Sequence, residues 1–164
     1  MTTPDPTEQP DLVELAKGIV DSNAYMTIAT ADSAGTPWAT PVWFAHHAYA
    51  DFLWVSRPET RHSRNLADRP AVAIAIFDST VPVGSAQAVY VEAVAAEVTG
   101  PDVDAAIEAY SRRSAHHGAG VWSAAEVTDG APFRLFRARA TEIFVLDEQE
   151  RRVPVELGPR ISRS

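Results

Sequence analysis

The sequence predicts a mainly β, α+β fold: a six-stranded antiparallel split β-barrel with short helices and Greek-key topology. Three observations lead to this prediction. Segments rich in β-branched and aromatic residues alternate with turn-forming residues. Short segments of helical periodicity lie between them. Closing such a sheet into a barrel removes the exposed strand edges that promote aggregation.

The N-terminal third is expected to form one helix and three strands. Asp11 is placed to cap a helix that ends at 21–23, because apolar residues recur on one stripe after it. A strand over 25–30 and a turn over 32–35 follow. The second strand of this hairpin is predicted over 36–46, and a third strand over 52–57.

The central part continues the same alternation of strand and helix. A short helix over 59–68 is stopped by a proline, and the apolar run 71–77 is a buried strand. After a loop over 78–85, a longer strand is predicted over 87–98. A helix then begins at 101–102 and reaches about residue 114.

The C-terminal part contains a long loop and the last strong strand. The loop runs from 115 to about 132 and the strand from 133 to 146, followed by a short extended segment at 151–155. With 164 residues, the chain has the size of one domain. We assign that domain to 11–156, with a flexible N-terminal tail at 1–10 and a C-terminal tail at 157–164.

Composition and charge exclude several classes of protein. The chain has no cysteine, which excludes disulfides, thiolate metal sites and a cysteine nucleophile. Its formal net charge of −8 disfavours nucleic acid and anionic membranes as partners. No apolar stretch approaches the roughly 20 residues of a spanning helix, and the polar N-terminus is unlike a secretory signal. We therefore expect a cytoplasmic protein that binds neither nucleic acid nor membrane.

Common catalytic motifs are absent, including phosphate-binding loops, dinucleotide fingerprints and the His-Glu-x-x-His zinc motif. Two adjacent histidine pairs, His46-His47 and His116-His117, are the residues that could suggest a metal. Neighbouring side chains on a strand point to opposite faces, however, so a pair rarely binds one ion. We interpret them as histidines of loops or strand ends and predict no metal site and no catalytic side chain.

A phosphate site is predicted where the third strand gives way to the second helix. The local charge is positive here, in contrast to the rest of the chain, because residues 57–69 contain four arginines and only two acidic residues. Thr60 is suited to cap the helix, whose N-terminal amides can hold a phosphate. Ser56 and Thr60 add hydroxyl donors, and Arg61 adds a planar fork that matches two phosphate oxygens. A solvated, capped helix with surface arginines explains the same residues equally well.

The order of motifs along the chain resembles that of a known family. These motifs are Thr-Ile-Ala-Thr, Gly-Thr-Pro, Pro-Val-Trp-Phe, Ser-Arg-Pro-Glu-Thr-Arg-His-Ser-Arg-Asn-Leu and Gln-Ala-Val-Tyr-Val-Glu-Ala. Together they resemble the pyridoxamine 5′-phosphate oxidase-like flavin-binding split barrels over 24–98, and more weakly over 133–147. The resemblance implies a homodimer that binds FMN at its interface and acts on a small-molecule substrate.

The resemblance also implies which residues contact FMN. Ser56, Thr60, Arg61 and His62 correspond to the segment that holds the phosphate, with His62 at a position often occupied by lysine. The flavin ring is expected beside the second strand and near the start of a later one. The residues implied there are Thr40, Val42, Trp43 and Gln87. Val42 and Trp43 also fit a purely structural role in the core, and Gln87 fits a polar strand start.

Two departures from the family pattern argue against vitamin B6 oxidation. Thr40 and Ala45 stand where the authentic oxidase has an arginine and a lysine. The C-terminal Arg-Leu-His-Asp-Arg substrate clamp is replaced by Glu-Arg-Arg-Val-Pro at 150–154. A pocket without these charges is expected to accept a less anionic or larger substrate.

Two alternatives to an FMN oxidoreductase keep the same fold. Related split barrels use a deazaflavin coenzyme, and the sequence does not separate the two cofactors. A non-catalytic module that binds flavin, haem or a protein partner is the other alternative, because a fold does not fix a function. The two histidine pairs are the hint of haem.

Overall fold

The computed structural model describes residues 11–147 and 149–158 of the chain. The predicted N-terminal tail at 1–10 lies outside the described residues. Of the predicted C-terminal tail, Leu157 and Gly158 are described, and Leu157 is buried in the main core. The packed part of the chain therefore extends past residue 156.

Three helices and eight strands make up the described chain. The helices are α1 (Leu12–Ser22), α2 (Arg61–Asp68) and α3 (Asp102–His116). The strands are β1 (Tyr25–Ala31), β2 (Pro37–Trp43), β3 (Ala45–His47), β4 (Asp51–Ser56), β5 (Ala71–Phe77), β6 (Ala88–Glu97), β7 (Arg134–Leu146) and β8 (Arg152–Pro154). Asp11 caps α1 through its carboxylate, which accepts from the Val13 and Glu14 amides.

All strands belong to one antiparallel sheet with the order β2-β1-β5-β6-β7-β4-β3, and β8 pairs with β7. Strands β5, β6 and β7 follow each other as neighbours, and β4 lies beside β7, which is a Greek-key arrangement. The first and last strands of this order, β2 and β3, are separated in the chain by Phe44 alone. The sheet therefore curls until its two edges approach, and the predicted mainly β split barrel is confirmed.

The strand count differs from the predicted six for two reasons. The strand expected over 36–46 is divided at Phe44, because the chain pairs with β1 before this residue and with β4 after it. The short β8 then adds to the count by pairing with the end of β7. The helix α3 also extends to His116, two residues beyond the predicted end.

Two hydrophobic cores lie on opposite sides of the curled sheet. The main core fills the barrel interior and includes Met26, Ile28 and Trp54, with α1 packed against it. The second core lies outside β3 and β4, where α3 covers Ala45 and Leu53. None of the helices in the described part of the chain is long and apolar enough to cross a membrane.

Within residues 11–147 and 149–158, nothing comparable covers the outward face of β1, β2, β5 and β6. Its residues are exposed or half-exposed: Thr27, Ala29, Ala31, Pro37, Ala39, Pro41, Ala71, Ala73, Ala75, Phe77, Tyr90, Glu92, Val94 and Ala96. Glu92 is the one charged residue of this set. A sheet face in contact with water normally carries polar residues at these positions. We call this set the open sheet face.

Candidate functional site

The predicted phosphate segment forms a cluster of hydroxyl and imidazole groups between the end of β4 and the start of α2. The His62 Nε2 lies 2.8 Å from the Ser56 Oγ and 3.2 Å from the Thr60 Oγ1. The Thr60 Oγ1 is also 2.8 Å from the Ser63 Oγ. Ser56 and Thr60 are half-buried, whereas His62 and Ser63 are buried. Four polar side chains are thus brought together, two of them partly open to solvent. We call them the hydroxyl cluster.

Thr60 occupies the position before α2, as predicted, but its side chain does not cap the helix. No side-chain cap bond is present at α2. The Thr60 hydroxyl instead donates to the Arg57 carbonyl at 2.9 Å. The prediction of a capping side chain was therefore wrong, because the turn before the helix competes for the same hydroxyl.

Arg61 extends from the start of α2 over strand β2. Its guanidinium carbon lies 4.6 Å from the centroid of the Trp38 ring. This cation–π contact holds the guanidinium over the Trp38 end of β2 without using its five N–H donors in an ion pair. Arg61 is half-buried and therefore keeps a face toward solvent. A planar guanidinium beside the hydroxyl cluster is the kind of group that binds phosphate oxygens.

A buried hydrogen bond fixes α2 on the sheet. The Asn65 Nδ2 donates to the Thr30 Oγ1 at 2.9 Å, and the Thr30 hydroxyl lies 3.4 Å from the Trp38 carbonyl. Asn65 and Thr30 are 5% and 4% exposed. These contacts connect α2, β1 and β2 at the place where Arg61 meets Trp38. Sequence analysis did not identify this pair, because its partners are 35 residues apart.

Burial keeps the His62 imidazole neutral near pH 7. Desolvation lowers the pKa of His62 below its ordinary value of 6.5. Both hydroxyls contact the same ring nitrogen, Nε2, so the imidazole fixes the positions of the Ser56 and Thr60 oxygens. His62 therefore lies behind the hydroxyls and does not itself present a permanent positive charge.

The other predicted site residues of β2 lie on its two faces. Thr40 and Val42 point toward the barrel interior, where Val42 is buried in the main core. Trp43 points outward and packs edge-on against Tyr110 of α3, with ring centroids 4.8 Å apart. In the described chain β2 pairs only with β1. The N–H and C=O groups along the second edge of β2 can therefore hydrogen-bond to a ligand.

Gln87 lies at the opposite end of the sheet from the hydroxyl cluster. It precedes Ala88, which pairs with Phe77, whereas the cluster lies near Thr30. About six residues of strand separate the two ends, which is about 20 Å at ~3.3 Å per residue. One copy of the chain therefore brings seven of the eight predicted residues to the region of β2, β4 and α2, but not Gln87.

The two histidine pairs meet on another part of the surface. His46 and His47 of β3 and His116 and His117 at the end of α3 line a single open cleft of about 710 Å³. The sequence interpretation treated each pair separately, so it did not predict this meeting. In residues 11–147 and 149–158 no group of three or more His, Asp or Glu side chains is arranged to bind a metal ion.

The sequence profile described as pyridoxamine 5′-phosphate oxidase matches residues 12–147. No curated protein sequence is significantly similar to this chain.

Among solved structures, the haem binding protein from Mycobacterium smegmatis matches with a TM-score of 0.71 and 23% identity, covering 90% of this chain and 58% of that chain. This chain thus spans little more than half of that protein. An FAD-binding protein from Mesorhizobium loti gives a TM-score of 0.63 at 16% identity, over 84% of this chain and 93% of that one. An F420 reductase gives 0.58 at 17% identity, over 86% and 98%. These similarities concern the fold.

Proposed function

The chain belongs to the pyridoxamine 5′-phosphate oxidase family, and from this premise we propose that it is an FMN-binding oxidoreductase. The observation that carries the proposal is the hydroxyl cluster beside Arg61. When bound, the flavin supplies hydride or electron transfer, so no nucleophilic side chain is required. The protein contributes binding, orientation and shielding from water.

The proposed phosphate contacts come from three half-buried side chains. Ser56 donates a hydroxyl hydrogen bond, Thr60 donates one after turning its hydroxyl away from the Arg57 carbonyl, and Arg61 donates two charge-assisted bonds to phosphate oxygens. His62 is a positioning residue that holds both hydroxyls from behind. The Asn65–Thr30 bond keeps α2 in register with β2. The backbone edge of β2 near Thr40 and Val42 is the proposed contact for the flavin ring.

We propose a homodimer formed through the open sheet face. Four strands spaced ~4.8 Å apart, with about seven residues each, give a footprint of about 400 Å². This is as large as the largest apolar patch of a typical monomer and about half of what each partner of a stable complex buries. Val81 and Val83, 37% and 107% exposed in the loop after β5, extend the apolar surface. The small side chains would allow a second sheet to approach closely.

A dimer also gives Gln87 a role that one copy does not allow. Gln87 adjoins Phe77 of the open sheet face but is about a strand length from the hydroxyl cluster. We therefore propose that Gln87 contacts the flavin bound by the other subunit. Each cofactor would then need both copies.

The substrate is proposed to differ from that of the vitamin B6 oxidase. Ala45 is fully buried under α3 and supplies no charge, and Thr40 is half-buried. Arg151 and Arg152, which stand in place of the clamp, are already engaged: Arg151 pairs with Asp147 at 2.8 Å, and Arg152 lies 4.5 Å from the Tyr90 ring centroid. These residues do not offer the cationic substrate clamp of the oxidase.

The first experiment is a visible spectrum of the full chain purified from its native host, with mass identification of whatever absorbs. We expect a flavin spectrum and an apoprotein that binds FMN. Arg61→Ala and Thr60→Ala, which remove charge-assisted and hydroxyl bonds, should together weaken FMN binding about 30-fold, equivalent to about 2 kcal/mol. Arg64→Ala is the matched control, since Arg64 is exposed on the same helix. If the Arg61→Ala/Thr60→Ala protein binds FMN as tightly as the Arg64→Ala control, the phosphate assignment is refuted.

The dimer requires its own measurement. Ala73→Glu places a second carboxylate opposite Glu92 on the open sheet face, and we expect it to halve the mass measured by light scattering. Ala105→Glu on the exposed side of α3 is the control. A dimeric Ala73→Glu variant would show that another surface forms the interface.

Two alternative functions each have a specific observation in their favour. A deazaflavin coenzyme is favoured by the similarity to the F420 reductase fold, and its absorbance differs from that of FMN. A haem-binding module is favoured by the similarity to the M. smegmatis protein and by the meeting of the histidine pairs. A Soret band in the purified protein would identify haem. Retained flavin that no electron donor reduces would favour a non-catalytic module.

A further inference from the structure

The cleft between α3, β3 and the end of α1 gathers positive and protonatable groups in a chain whose net charge is −8. We call it the histidine cleft. Its charged and titratable lining residues are Asp21, His46, His47, Arg112, Arg113, His116 and His117. Two guanidinium groups and four imidazoles thus face one carboxylate. Arginine and protonated histidine are the side chains that bind phosphate and carboxylate groups.

The single carboxylate is already satisfied within the protein. Asp21 accepts from His46 Nε2 at 2.9 Å and from the Tyr49 hydroxyl at 2.8 Å, and the Arg113 Nη1 lies 3.9 Å away. These three partners use its two oxygens. Asp21 therefore organises the floor of the cleft and has no free oxygen with which to engage Arg112.

Arg113 is rigid and Arg112 is free to move. The Arg113 Nη2 donates to the Val20 and Asn23 carbonyls, both at 2.9 Å, and its guanidinium stacks on Phe44. Arg112 pairs with Glu108, but both side chains are more than 70% exposed. An exposed i,i+4 pair contributes little, so an anion can take its place at low cost. The cleft thus offers one fixed and one adaptable guanidinium.

The histidines make the cleft responsive to acid. Burial lowers the pKa of His46, against the opposing effect of Asp21. Partial burial, Arg113 and His116 lower the pKa of His117. Mutual repulsion of cations is thus present in the free cleft, and a bound anion would relieve it. The other charged or titratable groups near the cleft are Glu108 on α3, Tyr49 after β3, and Lys17 on α1 with its partner Glu14. Asp51 of β4 lies opposite His47 in the strand register and pairs with Arg139 at 3.3 Å.

We propose that the histidine cleft binds a small phosphate- or carboxylate-bearing molecule, and that its affinity increases as the pH falls below neutrality. The cleft is separate from the hydroxyl cluster, whereas the Trp43 ring at the end of β2 lies 6.2 Å from the His117 ring. His46 pairs with Phe52, four residues before Ser56 along β4, so the two regions are about 14 Å apart along the strand. The proposal does not depend on flavin binding.

Histidine NMR on the full-length protein tests the proposal. The chain has five histidines, four in the cleft and His62 in the hydroxyl cluster, so each site has its own reporter. We expect inorganic phosphate or citrate to shift His47, His116 and His117 saturably. The pH dependence is measured with sulfate, whose charge does not change between pH 7.5 and 5.5, and its affinity should be at least about tenfold higher at pH 5.5 because free imidazole titrates near pH 6.5. Whichever of phosphate and citrate saturates at lower concentration identifies the ligand class.

Matched variants separate a site from general attraction. Arg112→Gln and His116→Gln/His117→Gln should each weaken binding several-fold. Arg151→Gln should not, although Arg151 is also exposed and also pairs at i,i+4 with an acidic residue. Shifts confined to His62 would place the anion in the hydroxyl cluster and overturn the proposal. Equal sulfate affinity at both pH values, or equal loss in the Arg151 variant, would overturn it as well. So would haemin binding with a Soret shift that the cleft variants abolish and phosphate does not compete with.

Discussion

The buried bond between Asn65 and Thr30 allows a quantitative test of how α2 is held on the sheet. Thr30→Val keeps the shape of the side chain but leaves the Asn65 amide donor buried without this partner. Both residues are at most 5% exposed and the bond measures 2.9 Å. An unsatisfied buried group of this kind costs about 1–3 kcal/mol, so we expect a loss of about 2 kcal/mol in the free energy of unfolding. Asn65→Leu should cost a similar amount.

The double variant provides the decisive comparison. Replacing both partners by apolar groups removes the unsatisfied donor and acceptor together, so Thr30→Val/Asn65→Leu should lose about 1–2 kcal/mol less than the sum of the single variants. Urea unfolding followed by tryptophan fluorescence, at one fixed protein concentration, measures all four proteins. Thr30→Ser keeps the hydroxyl and should cost about 1 kcal/mol for the lost methyl group. Strictly additive losses would show that the bond does not couple α2 to β1.

Three further predictions concern other parts of the fold. Arg113→Met should lose about 2–3 kcal/mol of stability in denaturant unfolding, because it removes charge-assisted bonds to the carbonyls at the end of α1, and a loss below 0.5 kcal/mol would contradict this. The free energy of unfolding should fall as the pH decreases below 6.5, since burial lowers the pKa of His46 and His62 in the folded state and the unfolded chain takes up protons first. Denaturant midpoints at pH 7.5 and 5.5 measure this loss. If the midpoint of His62→Gln depends on pH as strongly as that of the unmodified protein, His62 is excluded as a cause. Gly158→Ala should destabilise the protein by about 1–3 kcal/mol, because a Cβ there meets the Ala48 carbonyl oxygen. Gly120→Ala, which has open space around it, should leave the stability unchanged. Thermal unfolding of both variants measures the difference.

The sequence was sufficient for the secondary structure because hydrophobic periodicity and turn residues are local signals. The strand at 71–77 was predicted to the residue, and the Asp11 cap was correct. The break at Phe44 was not predictable in this way. It depends on the change of pairing partner from β1 to β4 as the barrel closes, and strand propensity continues through the position.

For the candidate site, the sequence identified the short segment from Ser56 to His62 because its residues are neighbours in the chain. It did not reveal that His62 is buried behind the hydroxyls or that Asn65 is tied to Thr30. Those properties depend on how α2 docks on the sheet.

By itself, then, the sequence determined the element types, the β-rich class and the local charge reversal around Arg61, all of which follow from short-range patterns. Tertiary structure alone decided three other features: the meeting of the two histidine pairs, the separation of Gln87 from the hydroxyl cluster, and the uncovered apolar face of four strands. The physical reason is that strand pairing and helix docking bring together residues distant in sequence. Those contacts are fixed by burial of the whole chain and leave no local pattern to read.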